Sequence, residues 1–143
     1  MSLAVISPSV IRGTLTPPPS KSAAHRLLIA AALAGEGRVR GLSLSADMEA
    51  TLRAVRGLGV SVRLDGDAAC FAPAPPSSSP SPLPVDCGES GSTLRFLIPL
   101  YAARGIPAVF TGHGRLPERP LGVYADCLPP HGVTLSAASG LPL

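Results

Sequence analysis

A tract rich in proline and serine divides the 143-residue sequence into two halves. Residues Ala72 to Pro84 read APAPPSSSPSPLP, and such a run cannot continue a helix or supply the N–H donors that a central strand needs. We therefore predict a solvent-exposed loop here. On either side of the tract the sequence reads loop, helix, strand, so we expect an α/β chain, or α+β by some schemes, with hairpins mixed in.

Helix and strand signals are clear in the first half. A run of good helix formers from Leu27 to Leu33 follows Ser20 and Ser22, either of which can cap a helix, and Gly35 and Gly37 are positioned to end it. Apolar residues recur at helical spacing from Met48 to Leu58. Three strands are expected as well: a short one from Val39 to Leu44, one from Val60 to Leu64, and its hairpin partner through Cys70-Phe71 after the Asp65-Gly66 turn.

The second half has the same kinds of element. A helix from Leu94 to Tyr101 contains Pro99, which we expect to kink or shorten it. The other expected elements are a strand at Ala108–Phe110, a helix after Pro120 that ends at Pro129-Pro130, and a strand at Val133–Leu135.

The composition excludes several classes of function. Aromatic residues make up 3% and there is no Trp, so the chain has no stacking platform for single-stranded nucleic acid. The basic residues are scattered, which argues against a nucleic-acid patch of any kind. Of the 12 basic residues only Lys21 is a lysine, which suggests that this position requires an amine.

Cysteine, histidine and apolar patterns point to a cytoplasmic protein without a metal. Three cysteines lack CxxC spacing, so we expect reduced thiols, and three separated histidines give no metal-ligand pattern. The longest apolar run, Leu27 to Ala34, is too short to span a bilayer, and we recognise no signal peptide.

Three loops lead into helices and have the residues of an anion site. A helix N-terminus offers free N–H groups and partial positive charge, which attract phosphate. The loops are Ser20-Lys21-Ser22 with Arg26; Gly88-Glu89-Ser90-Gly91-Ser92-Thr93 with Arg95; and Arg115-Leu116-Pro117-Glu118-Arg119-Pro120, in which Glu118 could orient an arginine. Taken singly, each is explained equally well by an ordinary helix cap or a surface ion pair. Together they suggest a ligand with several negative charges.

The order and spacing of these motifs resemble the N-terminal part of the 5-enolpyruvylshikimate-3-phosphate synthase family. The resemblance extends over nearly the whole chain, to about Leu135. It implies an inside-out α/β barrel domain of βαβαββ units, here incomplete. In that scheme residues 1–16 are a strand segment that packs with a second domain, 17–85 form a first unit that includes the loop at 72–84, and 86–143 form a truncated second unit.

The resemblance also implies a reaction and a set of residues. The family transfers the enolpyruvyl group of phosphoenolpyruvate to the 5-hydroxyl of shikimate 3-phosphate, releasing phosphate, through a tetrahedral ketal phosphate. It needs no organic cofactor or metal, works as a monomer, belongs to aromatic amino acid biosynthesis and is the target of glyphosate. Matched positions imply that Lys21 and Arg119 are catalytic; that Lys21, Ser22 and Arg26 bind shikimate 3-phosphate; that Lys21, Gly91 and Arg119 bind phosphoenolpyruvate; and that Glu89, Ser92, Arg95 and Glu118 are secondary.

The sequence departs from the family pattern in several places. Glu89 stands where many members have Asn, so an acid would face an anionic site unless it is protonated or turned away. Pro19 replaces a common Gly, and Phe96 stands where some members have Pro, which leaves the response to glyphosate open. The motifs expected from the second half of the family are absent. We therefore expect a fragment with half a ligand site, inactive alone.

Two alternatives stay open at this point. The chain could be a non-catalytic phosphometabolite-binding or structural α/β module. The other is the sister enolpyruvyl transferase that acts on UDP-N-acetylglucosamine, although that family usually has Lys-Asn where Lys21-Ser22 stand and uses a cysteine in a mobile loop. Neither Cys87 nor Cys127 lies in such a context.

Overall fold

The computed structural model describes residues 3–5, 7–8, 10, 12–75, 81–136 and 140–143. Helices and strands alternate, as predicted for an α/β chain. The helices are α1 (Lys21–Ala34), α2 (Ala46–Ala54), α3 (Gly91–Ala103) and α4 (Gly122–Cys127), with 3-10 turns at Val55–Leu58, Leu116–Glu118 and Pro129–His131. The strands are β1 (Gly37–Val39), β2 (Val60–Asp65), β3 (Ala68–Pro73), β4 (Leu83–Asp86) and β5 (Ala108–Thr111).

The first sheet has the order β1-β3-β2, with antiparallel pairs throughout. The predicted hairpin is present, and Gly66 adopts φ 59° at its turn, where a glycine is favoured. Strand β1 ends at Val39, so the prediction of a strand as far as Leu44 was wrong. The chain leaves the sheet because the backbone N–H groups of Gly41 and Leu42 donate to Asp67, at the hairpin turn.

The second sheet pairs β4 and β5 in parallel, with α3 as the crossover between them. The ends of the predicted loop belong to strands: β3 includes Ala72-Pro73 and β4 includes Leu83-Pro84. Residues 76–80 lie outside the described residues. Between the strands, the described parts of the tract are in loop, as expected.

Helix α3 continues through Pro99, so the prediction that this residue shortens the helix was wrong. Proline has no N–H to donate to the carbonyl four residues earlier, which is that of Arg95. The hydroxyl of Tyr124 donates to this carbonyl instead, at 2.9 Å. The hydrogen bond from α4 therefore satisfies the acceptor that Pro99 leaves open.

The core lies between α1, α2, α3 and the two sheets. Its fully buried members include Leu28, Met48, Leu94 and Leu97. The described residues show no strand at Val133–Leu135, where one was predicted; instead, Leu143 exchanges two backbone hydrogen bonds with Phe110 of β5.

The described residues before position 17 form no strand with one another or with the two sheets, and their apolar side chains are exposed. The resemblance assigns the strand segment 1–16 to packing with a second domain, so that division of the chain stays a prediction. Within the described ranges, no helix is long and apolar enough to cross a membrane.

Candidate anion-binding site

The first candidate loop opens α1 as predicted. Ser20 is the N-cap, and its hydroxyl accepts a hydrogen bond from the backbone N–H of Ala23 at 3.3 Å. Lys21 is the first helical residue, and its ammonium forms an ion pair with Asp47. Asp47 lies in the first turn of α2, next to the cap Ser45, where the helix dipole favours a carboxylate. Sequence reasoning missed Asp47, although an acidic residue just after a serine cap is a recognised signal of a helix start.

The second and third loops meet at Gly91. Ser90 caps α3 by accepting a hydrogen bond from the Thr93 N–H at 3.2 Å, and Gly91 is the first residue of that helix. The guanidinium of Arg119 lies against Gly91, in the space that a Cβ at this position would occupy. Arg119 itself is exposed. Two residues predicted to bind the same ligand are therefore in contact.

A series of contacts connects Lys21 to this pair. The carboxylate of Asp47 contacts Lys21, and the backbone carbonyl of Asp47 lies 3.4 Å from the Thr93 hydroxyl oxygen. Thr93 belongs to the first turn of α3, which begins at Gly91. The N-termini of α1, α2 and α3 thus converge, and Lys21, Gly91 and Arg119 lie in one region of the surface.

Ser22 and Arg26 follow Lys21 on the exposed surface of α1. The guanidinium of Arg26 donates to the Ser22 carbonyl at 2.9 Å, and its Cζ lies 5.4 Å from the ring centroid of Phe96. A cation over an aromatic face is attracted by the ring quadrupole, which holds Arg26 near α3. Both side chains are accessible to a ligand at the α1 N-terminus.

Glu89 is turned away from Lys21 and towards the third loop. Its carboxylate accepts a hydrogen bond from the Arg115 N–H at 3.2 Å and contacts Gly114, where any side chain would collide with it. Glu118 is exposed and forms no ion pair with a described residue. The acid that organises the third loop is therefore Glu89, whereas the sequence suggested Glu118.

The other two secondary residues contribute differently. Ser92 is exposed on the first turn of α3, beside Gly91. Arg95 is exposed, and its backbone carbonyl receives the Tyr124 hydrogen bond. The structure therefore brings Ser92 next to the Gly91–Arg119 contact, whereas Arg95 lies one turn further along the helix.

A buried imidazole lies behind the converging helix ends. His25 is 2% exposed, and its Nδ1 forms a hydrogen bond with the Thr51 hydroxyl at 2.8 Å, whereas Nε2 has no partner among the described residues. Burial lowers the pKa of His25, with Lys21 and Arg26 adding to the effect and Asp47 opposing it. The neutral ring is therefore the form that the fold favours.

This lowered pKa predicts that the chain loses stability in mild acid. Below the ordinary pKa of 6.5 the unfolded chain binds a proton that the folded chain does not, so the free energy of unfolding falls as the pH drops from 6.5 towards the folded pKa. Denaturant unfolding at pH 7.5 and pH 5.5 measures the loss. His25→Asn should show a smaller loss than wild type, and His131→Asn controls for removing an exposed imidazole. Equal losses in wild type and His25→Asn would contradict the assignment.

The cysteines offer no activated nucleophile at this site. Burial and the nearby Asp86 raise the pKa of Cys87 to about 12, so its thiol stays protonated at neutral pH. Cys127 is exposed at the end of α4. Among the described residues, no group of three potential metal-ligating side chains is close enough to hold an ion.

Fold and site together define an α/β chain in which three helix N-termini converge beside the exposed cations of Lys21 and Arg119. The family model for EPSP synthase (3-phosphoshikimate 1-carboxyvinyltransferase) matches residues 5–142. The chain belongs to the EPSP synthase family.

Relatives and solved structures agree with this family. A 3-phosphoshikimate 1-carboxyvinyltransferase of Clostridium kluyveri is 40% identical over 152 residues, which cover 100% of this chain and 34% of the relative. One of Anaeromyxobacter sp. is 40% identical over 91% of this chain and 30% of its own length. The solved EPSP synthase of Acinetobacter baumannii superposes with a TM-score of 0.72 at 28% identity, covering 91% of this chain and 31% of that one. The chain thus spans about a third of the length of these relatives.

Proposed function

We propose that the chain provides part of the site that transfers the enolpyruvyl group of phosphoenolpyruvate to the 5-hydroxyl of shikimate 3-phosphate, releasing phosphate. The observation that supports this most directly is the convergence of Lys21, Gly91 and Arg119 at the N-termini of α1 and α3. Both substrates carry a phosphate and a carboxylate. Cations and helix N-termini are what two such anions need in order to be held side by side.

Shikimate 3-phosphate is the proposed ligand of the α1 N-terminus. Lys21, Ser22 and Arg26 present an ammonium, a hydroxyl and a guanidinium from adjacent turns of one helix, and all three residues are exposed. The phosphate is the group that these donors suit, since Arg26 can fork onto two of its oxygens. Phe96 holds the guanidinium in place.

Phosphoenolpyruvate is the proposed ligand of the Gly91–Arg119 contact, with Lys21 shared between the two substrates. Gly91 lets the ligand approach the free N–H groups of α3, and Arg119 adds a charge beside them. In the reaction the 5-hydroxyl loses its proton as its oxygen bonds to C2 of phosphoenolpyruvate, the carbon that holds the phosphate ester, and C3 gains a proton. Loss of a proton from C3 then re-forms the double bond to C2 and expels phosphate. Orientation and charge neutralisation are what the residues here supply. No cofactor or metal enters the proposal.

We infer that this chain alone holds only half of the site. The relatives are about three times as long, and their remaining two thirds contain the parts that the resemblance assigns to the rest of the reaction. The proposed setting is a monomeric enzyme of the cytoplasm. The division of the chain into a first unit at 17–85 and a truncated second unit at 86–143, both of one domain, belongs to the same proposal.

Binding and turnover of the 143-residue chain test the proposed function. We expect shikimate 3-phosphate to shift the backbone amide resonances of Lys21 and Ser22, and phosphoenolpyruvate to shift those of Gly91 and Arg119. We expect no product from the chain alone, and product when the remaining two thirds of the Clostridium kluyveri relative is supplied in trans. Turnover by the chain alone would contradict the half-site. An unchanged spectrum with both substrates would contradict their assignment.

The same titration separates the alternatives. A non-catalytic module would bind a phosphorylated ligand and give no product with the remainder in trans. The sister transferase would respond to UDP-N-acetylglucosamine, which we expect to cause no shift. The raised pKa of Cys87, about 12, is unsuited to the cysteine chemistry of that sister family.

A further inference from the structure

Four buried polar side chains in the described part of the chain belong to one hydrogen-bonded series. Their exposed fractions are 2% or less, and the four are His25, Thr51, Ser90 and Thr93. His25 Nδ1 lies 2.8 Å from the Thr51 hydroxyl, which lies 2.7 Å from the Thr93 hydroxyl, and this lies 2.7 Å from the Ser90 hydroxyl. We call these four side chains the buried polar series.

The protons in the series run in one direction. The Thr93 hydroxyl donates to Ser90 Oγ, so its single proton is used there. Thr51 then donates to Thr93, sharing its proton with the Asp47 carbonyl at 3.0 Å. Thr51 can therefore only accept from His25, which places the ring proton on Nδ1 and leaves Nε2 unprotonated.

Packing alone does not explain this arrangement. A buried hydrogen bond contributes only about 1 kcal/mol net, and apolar residues of the same shape would fill the space equally well. What the series adds is direction, because the His25–Thr51 bond fixes the orientation and spacing of α1 and α2, and the Thr51–Thr93 bond does the same for α2 and α3. It begins at His25, one turn after Lys21 on α1, and ends at Ser90, the residue before Gly91 on α3. The two ends lie next to the two proposed ligand subsites.

We propose that Thr51 and Thr93 are positioning residues, whose hydroxyls set the location of Gly91 and Arg119 relative to Lys21. The inference deepens the proposed function and rests on it. A shared lysine can touch both substrates only if the N-termini of α1 and α3 keep a fixed separation, and α2 is the spacer between them. Thr51 contacts both neighbours from α2, through His25 on one side and Thr93 on the other.

A second buried hydroxyl in the interface between α2 and α3 provides a control for the experiment. Towards the other end of these two helices the Tyr101 hydroxyl donates to the Ala54 carbonyl at 2.7 Å, also fully buried. Tyr101→Phe therefore removes a buried hydroxyl from the same interface, more than one helical turn from the ligand subsites. Thr51→Val removes a hydroxyl without changing the shape of the side chain, and Thr51→Ser restores it.

Affinity for phosphoenolpyruvate in the presence of shikimate 3-phosphate is the first measurement, made on the whole chain. We expect Thr51→Val to weaken this affinity about tenfold, whereas Thr51→Ser and Tyr101→Phe should each stay within about twofold of wild type. Thr51→Val and Tyr101→Phe should lose similar amounts of thermal stability. Thr93→Val is the second variant should Thr51→Val not fold. Equal affinities for Thr51→Val and Tyr101→Phe, or no recovery in Thr51→Ser, would overturn the proposal.

A ligand-free measurement keeps the test independent of the substrate assignment. If wild type binds neither substrate, the proposed function fails, and the amide resonances of Lys21 and Gly91 decide the positioning role. Both resonances should shift in Thr51→Val and stay unchanged in Tyr101→Phe. Unchanged resonances in Thr51→Val would overturn the inference. The nitrogen shifts of the His25 ring should report a proton on Nδ1, and a proton on Nε2 would overturn the assigned direction of the series.

Discussion

Gly91→Ala is expected to weaken binding of phosphoenolpyruvate about tenfold while leaving the fold as stable as before. Gly91 has an ordinary backbone conformation at the first position of α3, so alanine causes no strain there and is the better helix former. The added methyl group, however, collides with the guanidinium of Arg119. Arg119 must then leave the position in which it flanks the helix N-terminus.

Gly122→Ala is the matched control. Gly122 is likewise the first residue of a helix, α4, has no positive φ, and a Cβ built on it meets no atom within 4 Å. Titrations of wild type and both variants with phosphoenolpyruvate, with thermal unfolding alongside, make the comparison. If Gly91→Ala bound as tightly as Gly122→Ala, the contact with Arg119 would have no part in ligand binding.

Local signals in the sequence were sufficient to predict both ends of α1 to within two residues. Ser20 and Gly35 bound α1 because a capping hydroxyl and a left-handed glycine act within one turn of the chain. The hairpin of β2 and β3 was predicted for the same reason, since the alternating residues and the turn are neighbours in sequence. The three candidate loops could be located because helix starts have a short signature in sequence.

The errors came from contacts between distant residues. Strand β1 stops early because Asp67, at least 25 positions later, accepts the hydrogen bonds of Gly41 and Leu42. Pro99 stays inside a helix because Tyr124 satisfies the open carbonyl of Arg95. Neither effect has a local signature, since each depends on where the fold brings the second residue.

The site residues that sequence reasoning missed show the same contrast between local signals and contacts between distant residues. Asp47 and Thr51 are four positions apart on α2, and Lys21 and His25 are four apart on α1, so each pair lies on one helix face. That spacing is visible in the sequence alone. What the sequence lacked was the packing of α1 against α2, which pairs Lys21 with Asp47 and His25 with Thr51.

Lys21→Met is expected to have the largest effect, a loss of about 100-fold in affinity for phosphoenolpyruvate. Methionine is unbranched like lysine and only one atom shorter, and it removes the ammonium. Two effects add: the ligand loses a cation, and the Asp47 carboxylate, no longer paired, repels the incoming anion. Stability should change by less than about 1 kcal/mol, because the ion pair is partly exposed to water.

A second substitution separates these two effects. In the double variant Lys21→Met with Asp47→Asn the repulsion is gone, so we expect it to recover part of the lost affinity without reaching wild type. Arg38→Met is the control for charge alone: it also deletes one cation, whose partner is Asp65 at 2.8 Å on the first sheet. Affinity in Arg38→Met should match wild type at moderate salt, where surface charges are screened beyond about 10 Å. Should Lys21→Met bind no more weakly than Arg38→Met, Lys21 would be a surface lysine paired with Asp47, and the converging helix ends would need another ligand.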